Sequence, residues 1–362
     1  ASCLVGSEMC IRDRPQPTVD LTNCDREPIQ IPGSIQPHGA MLVAHPDSFD
    51  ILYASANAGD VTGFDEPIVR GMPLTAVIGE RAAHDIRNAC AKSGGGEIAG
   101  VELGLTLGHS TRPVDVIVHR YKDRVIIEFE PSIEGGKTAK DALDLTQTLV
   151  RRIGMETELA NLAKAGARLV RTMLGYDRVM IYQFLHNGAG RVIAEAKRAG
   201  LQSFMGQHFP ASDIPVQARR LYQLNAIRMI GDSSYTPVPL VPAVAPGEQP
   251  IDMSFAQLRS VSPIHCEYLQ NMGVHASMSI SILVDGELWG LISCHHDSPR
   301  IVPLPLRIGA ELFGNYFSLQ VSVAQRRAYI VASGLARERL DRILSGLAVD
   351  DSLLDGLRDH LD

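Results

Sequence analysis

The sequence predicts an α+β protein of two domains, each an antiparallel sheet with flanking helices, joined by long helices. Three observations predict it. Two separate sets of period-two apolar segments lie before and after a glycine-containing linker at 132–140. Long helical stretches follow the linker and the second strand set. A chain of 362 residues, 45% apolar and 21% charged, is long enough for two or three cores of ordinary soluble composition.

In the first set, Ala40–His45 and Ile51–Ser55 read as strands. Pro113–His119 puts Val114, Val116 and Val118 on one face, and Arg124–Glu130 does the same with Val125, Ile127 and Phe129. Ile78–Lys92 reads as a helix between them. After the linker, a helix is expected over about 142–174, with Leu145, Leu149, Ile153, Leu159 and Leu162 near helical spacing. The second strand set is Arg178–Phe184, Arg191–Lys197, Ala276–Leu283 and Glu287–His295. Between its halves, Thr236–Pro250 contains Pro237, Pro239, Pro242, Pro246 and Pro250 and reads as an extended, irregular loop. A last helix is expected over about 307–347, with Leu312, Phe317, Leu319, Val323, Ile330 and Leu335 as apolar members.

A net charge of -7 without a long basic run argues against non-specific nucleic-acid binding. No apolar run is long enough to span a bilayer. Residues 1–14 lack the basic start of a signal peptide, and a cytoplasmic location is expected. Met9-Cys10-Ile11-Arg12-Asp13 resembles translated sequencing adapter, so residues 1–19 are treated as a non-native or disordered leader. The six cysteines (Cys3, Cys10, Cys24, Cys90, Cys266, Cys294) are too scattered for a disulfide framework and are read singly.

The most informative stretch is Pro210-Ala211-Ser212-Asp213-Ile214-Pro215, where two prolines fix the backbone around one carboxylate. Its plain reading is a helix start with Ser212 or Asp213 as N-cap and Pro215 in the first turn. In Ala276–Ile282, Ser277, Ser279 and Ser281 alternate with apolar residues and share one face. That face is either a solvated row or a polar pocket wall. His265-Cys266 and Cys294-His295-His296 carry zinc-type ligands, but in contiguous pairs without metal-ligand spacing. Arg228 and Arg259 stand apart from acidic neighbours and suit a carboxylate ligand, or plain solvent. Tyr182, Phe204, Phe209, Tyr222 and Tyr268 fall in the same segments. Cys24 lies in a polar stretch, where a thiol is chemically available.

Four motifs in order resemble one family. They are Cys24 with Ile31-Pro32-Gly33-Ser34-Ile35-Gln36-Pro37-His38-Gly39, the Pro210–Pro215 hexapeptide, Ser262-Pro263-Ile264-His265 with Tyr268–Val274, and Leu288–His296. The chain is similar to bacteriophytochromes, red-light receptors that bind a linear tetrapyrrole, usually biliverdin. The resemblance implies a PAS domain within 20–131 and a GAF domain within 143–320, joined by a figure-of-eight knot. The knot would form at 231–260 with Ile35 near the crossing. A linker helix and the truncated start of a PHY domain would occupy 321–362.

The resemblance also assigns roles. Cys24 would form a thioether with biliverdin. Asp213 (through its carbonyl) and His265 would face the pyrrole nitrogens, with Ile214 also among the cofactor-binding residues. Arg228 and Arg259 would bind the propionates, with Tyr222, Ser262, Ser277 and Ser279 as further donors. His295 would reach the D-ring carbonyl, boxed by Tyr182, Phe204, Phe209 and Tyr268. Plant and cyanobacterial relatives attach the bilin through a cysteine where this chain has Ile264, so Cys266 is a candidate second attachment point. The expected protein is a photosensory fragment without enzyme activity, with red absorption, near-infrared fluorescence and incomplete photoconversion, since the PHY hairpin arginine for Asp213 is missing. A homodimer through the long helices and an output kinase in a longer parent are the implied partners. The competing readings are a light-independent, small-ligand GAF module and a zinc enzyme built on His265, Cys266, Cys294 and His296.

Overall fold

The computed structural model describes residues 27–92, 100–132 and 139–349, with side chains to Ser345. Cys24, the leader and the residues after 349 lie outside the described residues.

The chain opens with β1 (Ser34–Ile35), β2 (Ala40–Ala44) and β3 (Ile51–Ser55), followed by α1 (Ala58–Thr62), α2 (Leu74–Ile78) and α3 (Glu80–Lys92). Then come β4 (Gly100–Leu105), β5 (Val114–Tyr121) and β6 (Arg124–Pro131). The expected single helix over 142–174 is two, α4 (Ala139–Ile153) and α5 (Leu159–Leu174). The break falls at Gly154, where a side chain would meet the Tyr316 hydroxyl at 2.6 Å. Next are β7 (Arg178–Phe184), β8 (Gly190–Lys197), β9 (His208–Phe209), α6 (Val216–Leu224), β10 (Ile227–Ile230) and β11 (Val238–Val241). The chain continues through α7 (Pro263–Asn271), β12 (Ala276–Val284), β13 (Glu287–His296) and the 46-residue α8 (Leu304–Val349). Helix α8 begins before Pro305, which sits in its first turn, where a missing N–H costs nothing.

The first sheet has seven strands in the order β1-β11-β3-β2-β6-β5-β4. Alternation in β2, β5 and β6 sends Ala40, Leu42, Val116, Val118, Ile127 and Phe129 against the short helices. The opposite face, with Met41, Val43, Tyr53 and Ile126, packs on Ile251, Met253, Ala256 and Leu258 from a long excursion of the second domain. That excursion departs from the expectation of an irregular loop at 236–250 at one point, Val238–Val241, which is a strand. Its β11 adds a strand to the first sheet, pairing with β3 on one side and β1 on the other. Prolines are tolerated because Leu240, between them, supplies the N–H that bonds Gly33 O at 2.9 Å.

The arm at 33–36 lies between two parts of the same excursion. Ser34 and Ile35 pair with Pro239 and Val238. On their other side, Ile35 bridges Arg259, Ser260 donates to Ser34 O and Gln36 donates to Leu258 O. Ile35 is wholly buried there, as the crossing of a figure-of-eight requires. Gln36 completes the seam, donating to Met229 O and accepting from Gly231 N–H.

The second sheet has six strands in the order β10-β12-β13-β7-β8-β9. One face holds Ile227, Met278, Ile280, Ile292, Cys294, Val179 and Ile181 against α5 and α8, with Phe313 and Phe317 filling the gap. Arg307, at the start of α8 and buried, pairs with Glu130 of β6 at 2.5 Å and ties the two domains together. Beyond Ala324, α8 exposes Tyr329, Ile330, Val331, Leu335, Leu340 and Leu344. Among the described residues, no helix is long and apolar enough to cross a membrane.

Candidate functional site

The second face of the six-stranded sheet is left open and carries a cleft. Cross-strand register puts Arg228, Ser279, Ser293 and Met180 in one row, and Ser277 beside His295 in the next. Cross-strand partners share a face, so the serine alternation and the arginine belong to one wall. Ser277 and Ser279 line the cleft, whereas Ser281 donates to Tyr222 O at 2.6 Å.

The cleft has two chambers. The larger, about 580 Å³, is lined by Glu27, Asp213, Ile214, Tyr222, Arg228, Arg259, Ser262 and His265, among others. The smaller, about 90 Å³, is lined by Tyr182, Phe204, Phe209, Leu291 and His295. Asp213, Ile214, Tyr222, His265, Tyr268, Ser277 and Ser279 border both, so the chambers form one elongated site. The larger chamber is of ordinary size for a small-molecule ligand.

The hexapeptide is not the expected helix cap. Ala211–Asp213 form a short 3-10 turn, and α6 starts after Pro215, which itself occupies the N-cap position. Pro215 holds Ile214 out of helical geometry (φ −129°, ψ 87°), so neither Ser212 nor Asp213 can cap the helix. Arg219, unnoticed in the sequence, clamps this turn by donating to Ile214 O at 2.7 Å, Gly188 O and Ala211 O. Asp213 takes a hydrogen bond from the Tyr268 hydroxyl at 3.0 Å. That contact raises the Tyr268 phenol's pKa, as does its burial, which is the larger cause. Tyr268 thus serves the carboxylate as well as the aromatic wall.

Arg228 and Arg259 pair with no carboxylate among the described residues. Arg228 donates to the carbonyls of Gln257 (3.2 Å), Arg259 and Ser260 (3.1 Å). Arg259 is 6% exposed, donates to Ile29 O and leaves its Nε without a partner. Burial lowers its pKa well below the usual guanidinium value, and Arg228 adds to this. Two unpaired guanidiniums beside a cavity are costly unless an anion meets them.

At the other end, Tyr182 packs edge-on to Phe184 at 5.4 Å and against Phe209 at 5.9 Å, and Phe204 meets Phe209 at 6.3 Å. Gly190 faces the Tyr182 ring where any side chain would collide with it. Arg178 stacks 3.7 Å over Phe204 and pairs with Glu195, fixing that wall. His295 lies 3.3 Å from the Ser293 hydroxyl through Nε2, while its buried Nδ1 has no partner. Burial holds His265 at about 4 and His295 at about 3, so both imidazoles are neutral near pH 7.

Two further readings meet the structure differently, and a third falls outside it. Cys266 lines neither chamber, and burial pushes its thiol up to about 11, away from a reactive thiolate. The zinc set does not assemble. Cys294 is wholly buried in the core, His295 faces the cleft, and His296 pairs with Asp177 at 2.9 Å. The cluster of Asp177, His296 and Asp297 is already occupied by Arg198, which pairs with both carboxylates. Cys24 lies outside the described residues, three positions before Glu27 of the cavity wall.

The PAS fold family matches residues 24–132 and the GAF domain family residues 158–324. The chain is 42% identical over 309 residues to a bacteriophytochrome of Pseudomonas aeruginosa, covering 83% of this chain and 40% of that protein. It is 37% identical to a bacteriophytochrome of Xanthomonas campestris pv. campestris, covering 94% and 52%. The chain therefore spans about half the length of these curated relatives. Among solved structures, the chromophore-binding domain of an unusual bacteriophytochrome from R. palustris matches with a TM-score of 0.75 and 38% identity, covering 84% of this chain and 99% of that one. Fold, motif order and these likenesses agree: the chain belongs to the bacteriophytochrome family and forms its PAS–GAF photosensory module.

Proposed function

We propose that this module binds biliverdin, linked as a thioether through Cys24, and absorbs red to far-red light. The observation that carries the reading is a pair of arginines without carboxylate partners among the described residues, Arg259 buried and Arg228 half-buried, at one end of a cleft whose other end is aromatic. A linear tetrapyrrole with two propionates on its middle rings and an uncharged terminal ring matches that division of polarity. When bound, the bilin supplies the light absorption and a terminal D ring that can rotate. The chain supplies the rest.

Arg228 and Arg259 are assigned to the propionates, with Tyr222, Ser262, Ser277 and Ser279 as hydrogen-bond donors. Exchanging backbone carbonyls for a carboxylate gives each guanidinium a charged partner. His265 and the Asp213 carbonyl are assigned to the pyrrole nitrogens, beside Ile214. The orphaned His295 Nδ1, with Tyr182, Phe204, Phe209 and Tyr268 around it, is assigned to the D ring. Among the described residues, no cation pairs with the Asp213 carboxylate, which is held by Tyr268. We therefore expect near-infrared fluorescence and an unstable far-red-absorbing product. The exposed apolar positions of α8 suit a homodimer.

Adding biliverdin to the purified chain tests the reading. A red-absorbing adduct that survives denaturation, and is lost in Cys24→Ser, is the expected result. Failure to retain biliverdin would favour a diffusible, light-independent ligand. Clean, long-lived photoconversion would overturn the expected photochemistry.

A further inference from the structure

One buried carboxylate of the PAS sheet has no part in the scheme above. Glu128 lies on β6, wholly buried, opposite Met41 of β2 and Ile117 of β5. It lines neither chamber. Its Oε1 accepts the Leu258 N–H at 2.6 Å, and the Gln257 N–H also bonds this carboxylate. Its Oε2 has no partner.

These contacts bear on the next residue along. Residues 257–260 are held from the GAF side by Arg228, which takes their carbonyls, and from the PAS side by Glu128, which takes their N–H groups. The chain bends at Gln257 and Leu258, so successive side chains are sent to different neighbours. Leu258 therefore plugs the PAS sheet while Arg259 faces the larger chamber. A shift of Leu258 along β6 would carry the Arg259 guanidinium with it. The charged groups around Glu128 are Glu130 on its own strand, Arg307 of α8, Arg228 of β10 and Arg259 itself. Burial pushes the Glu128 carboxyl up to about 7, outweighing the two backbone N–H bonds.

We propose that Glu128 is a positioning residue for the anion end of the cleft, setting the aim of Arg259 by gripping the Leu258 N–H across the domain boundary. The inference rests on the bilin reading above and deepens it, because it places one determinant of propionate binding in the other domain.

The test compares biliverdin with its dimethyl ester, whose esterified propionates offer no charge to Arg259. Both are titrated into the full chain on a Cys24→Ser background, so that binding is reversible. Glu128→Leu removes the acceptor and is expected to weaken biliverdin binding about tenfold, the size of one lost charge-assisted hydrogen bond. Binding of the diester should change by less than about threefold on the same reasoning, since that bond is absent from it. Equal weakening of both ligands, or of neither, would overturn the proposal. If Glu128→Leu does not fold, Glu128→Asp, which keeps the charge but shortens the reach, is read by the same selectivity. A parent chain that binds neither ligand would instead sink the bilin reading itself.

Discussion

The two sheets of this molecule are built alike and used differently. Each packs one face on helices. On the PAS side, the second face is plugged by Leu258, Met253 and Ile251 from the other domain, and no cavity is left there among those described. On the GAF side, the second face has no such plug and holds the cleft. The excursion that fills one sheet is drawn from the domain of the other, between β10 and α7. A single segment therefore makes one domain a scaffold and the other a receptor, and Arg259 sits where the two roles meet.

Breaking the plug should have the largest effect. Leu258→Ala removes a wholly buried side chain from the PAS face and should cost about 2–5 kcal/mol of stability, read by thermal or denaturant unfolding. An equal truncation at half-buried Phe209 should cost clearly less. If the two cost the same, the faces are not different in kind.

Acid sharpens the contrast next. His119 of the PAS sheet is held at about 4, as is His265, and His295 at about 3, in each case chiefly by burial. Unfolded histidines titrate near about 6.5. Between those values the unfolded chain binds more protons, so stability of the unliganded protein should fall as pH drops from 6.5 toward 4. Glu128, raised to about 7, works in the opposite direction between 7 and its ordinary 4.5, and burial raises Glu311 in the same sense, but His38, also lowered chiefly by burial, joins the three histidines against them. Unfolding curves across this range check the sign, and a stability that rises toward pH 4 would contradict it.

On the open face, function and stability should part company. Arg259→Leu removes a buried, unpaired guanidinium, so the unliganded chain should be no less stable, while biliverdin affinity should drop by about 2–5 kcal/mol. Paired melting and binding measurements decide this. The smallest effect is expected from Tyr268→Phe, which deletes the hydrogen bond to Asp213 and should cost about 1 kcal/mol. Its clearer readout is a shift in the bilin absorption band.

Much of the open face was legible in the sequence. The period-two pattern of Ala276–Val284 predicts both its core side and its serine row, because alternation is a local property. Arg228 on β10 was visible as a residue but not as part of a strand, since four residues between a helix and a turn carry little pattern. The plug was not legible. Val238–Val241, interrupted by Pro239, reads as loop, and only its pairing with distant β3 and with the arm at 33–36 makes it a strand. Arg259 points into the cleft because Leu258 is held on another domain, a constraint no local window contains. The cap expected at Ser212 or Asp213 failed for a local reason that was available, the veto of Pro215 over Ile214.

The crossing of the arm also sets a timetable. Ser34 and the Ser260 hydroxyl that it bonds are 226 residues apart in the chain. At roughly 5–20 residues per second, the ribosome needs about 11–45 s to make that stretch. During that interval Ile35, Met41, Val43 and Tyr53, and Ile126 once it has been made, have no cover, although each ends at 1% exposure or less. A nascent PAS sheet is thus an adhesive surface waiting for its lid. Slowing translation between codons 132 and 230 should lengthen that exposure and lower the soluble yield, without altering one contact of the finished protein.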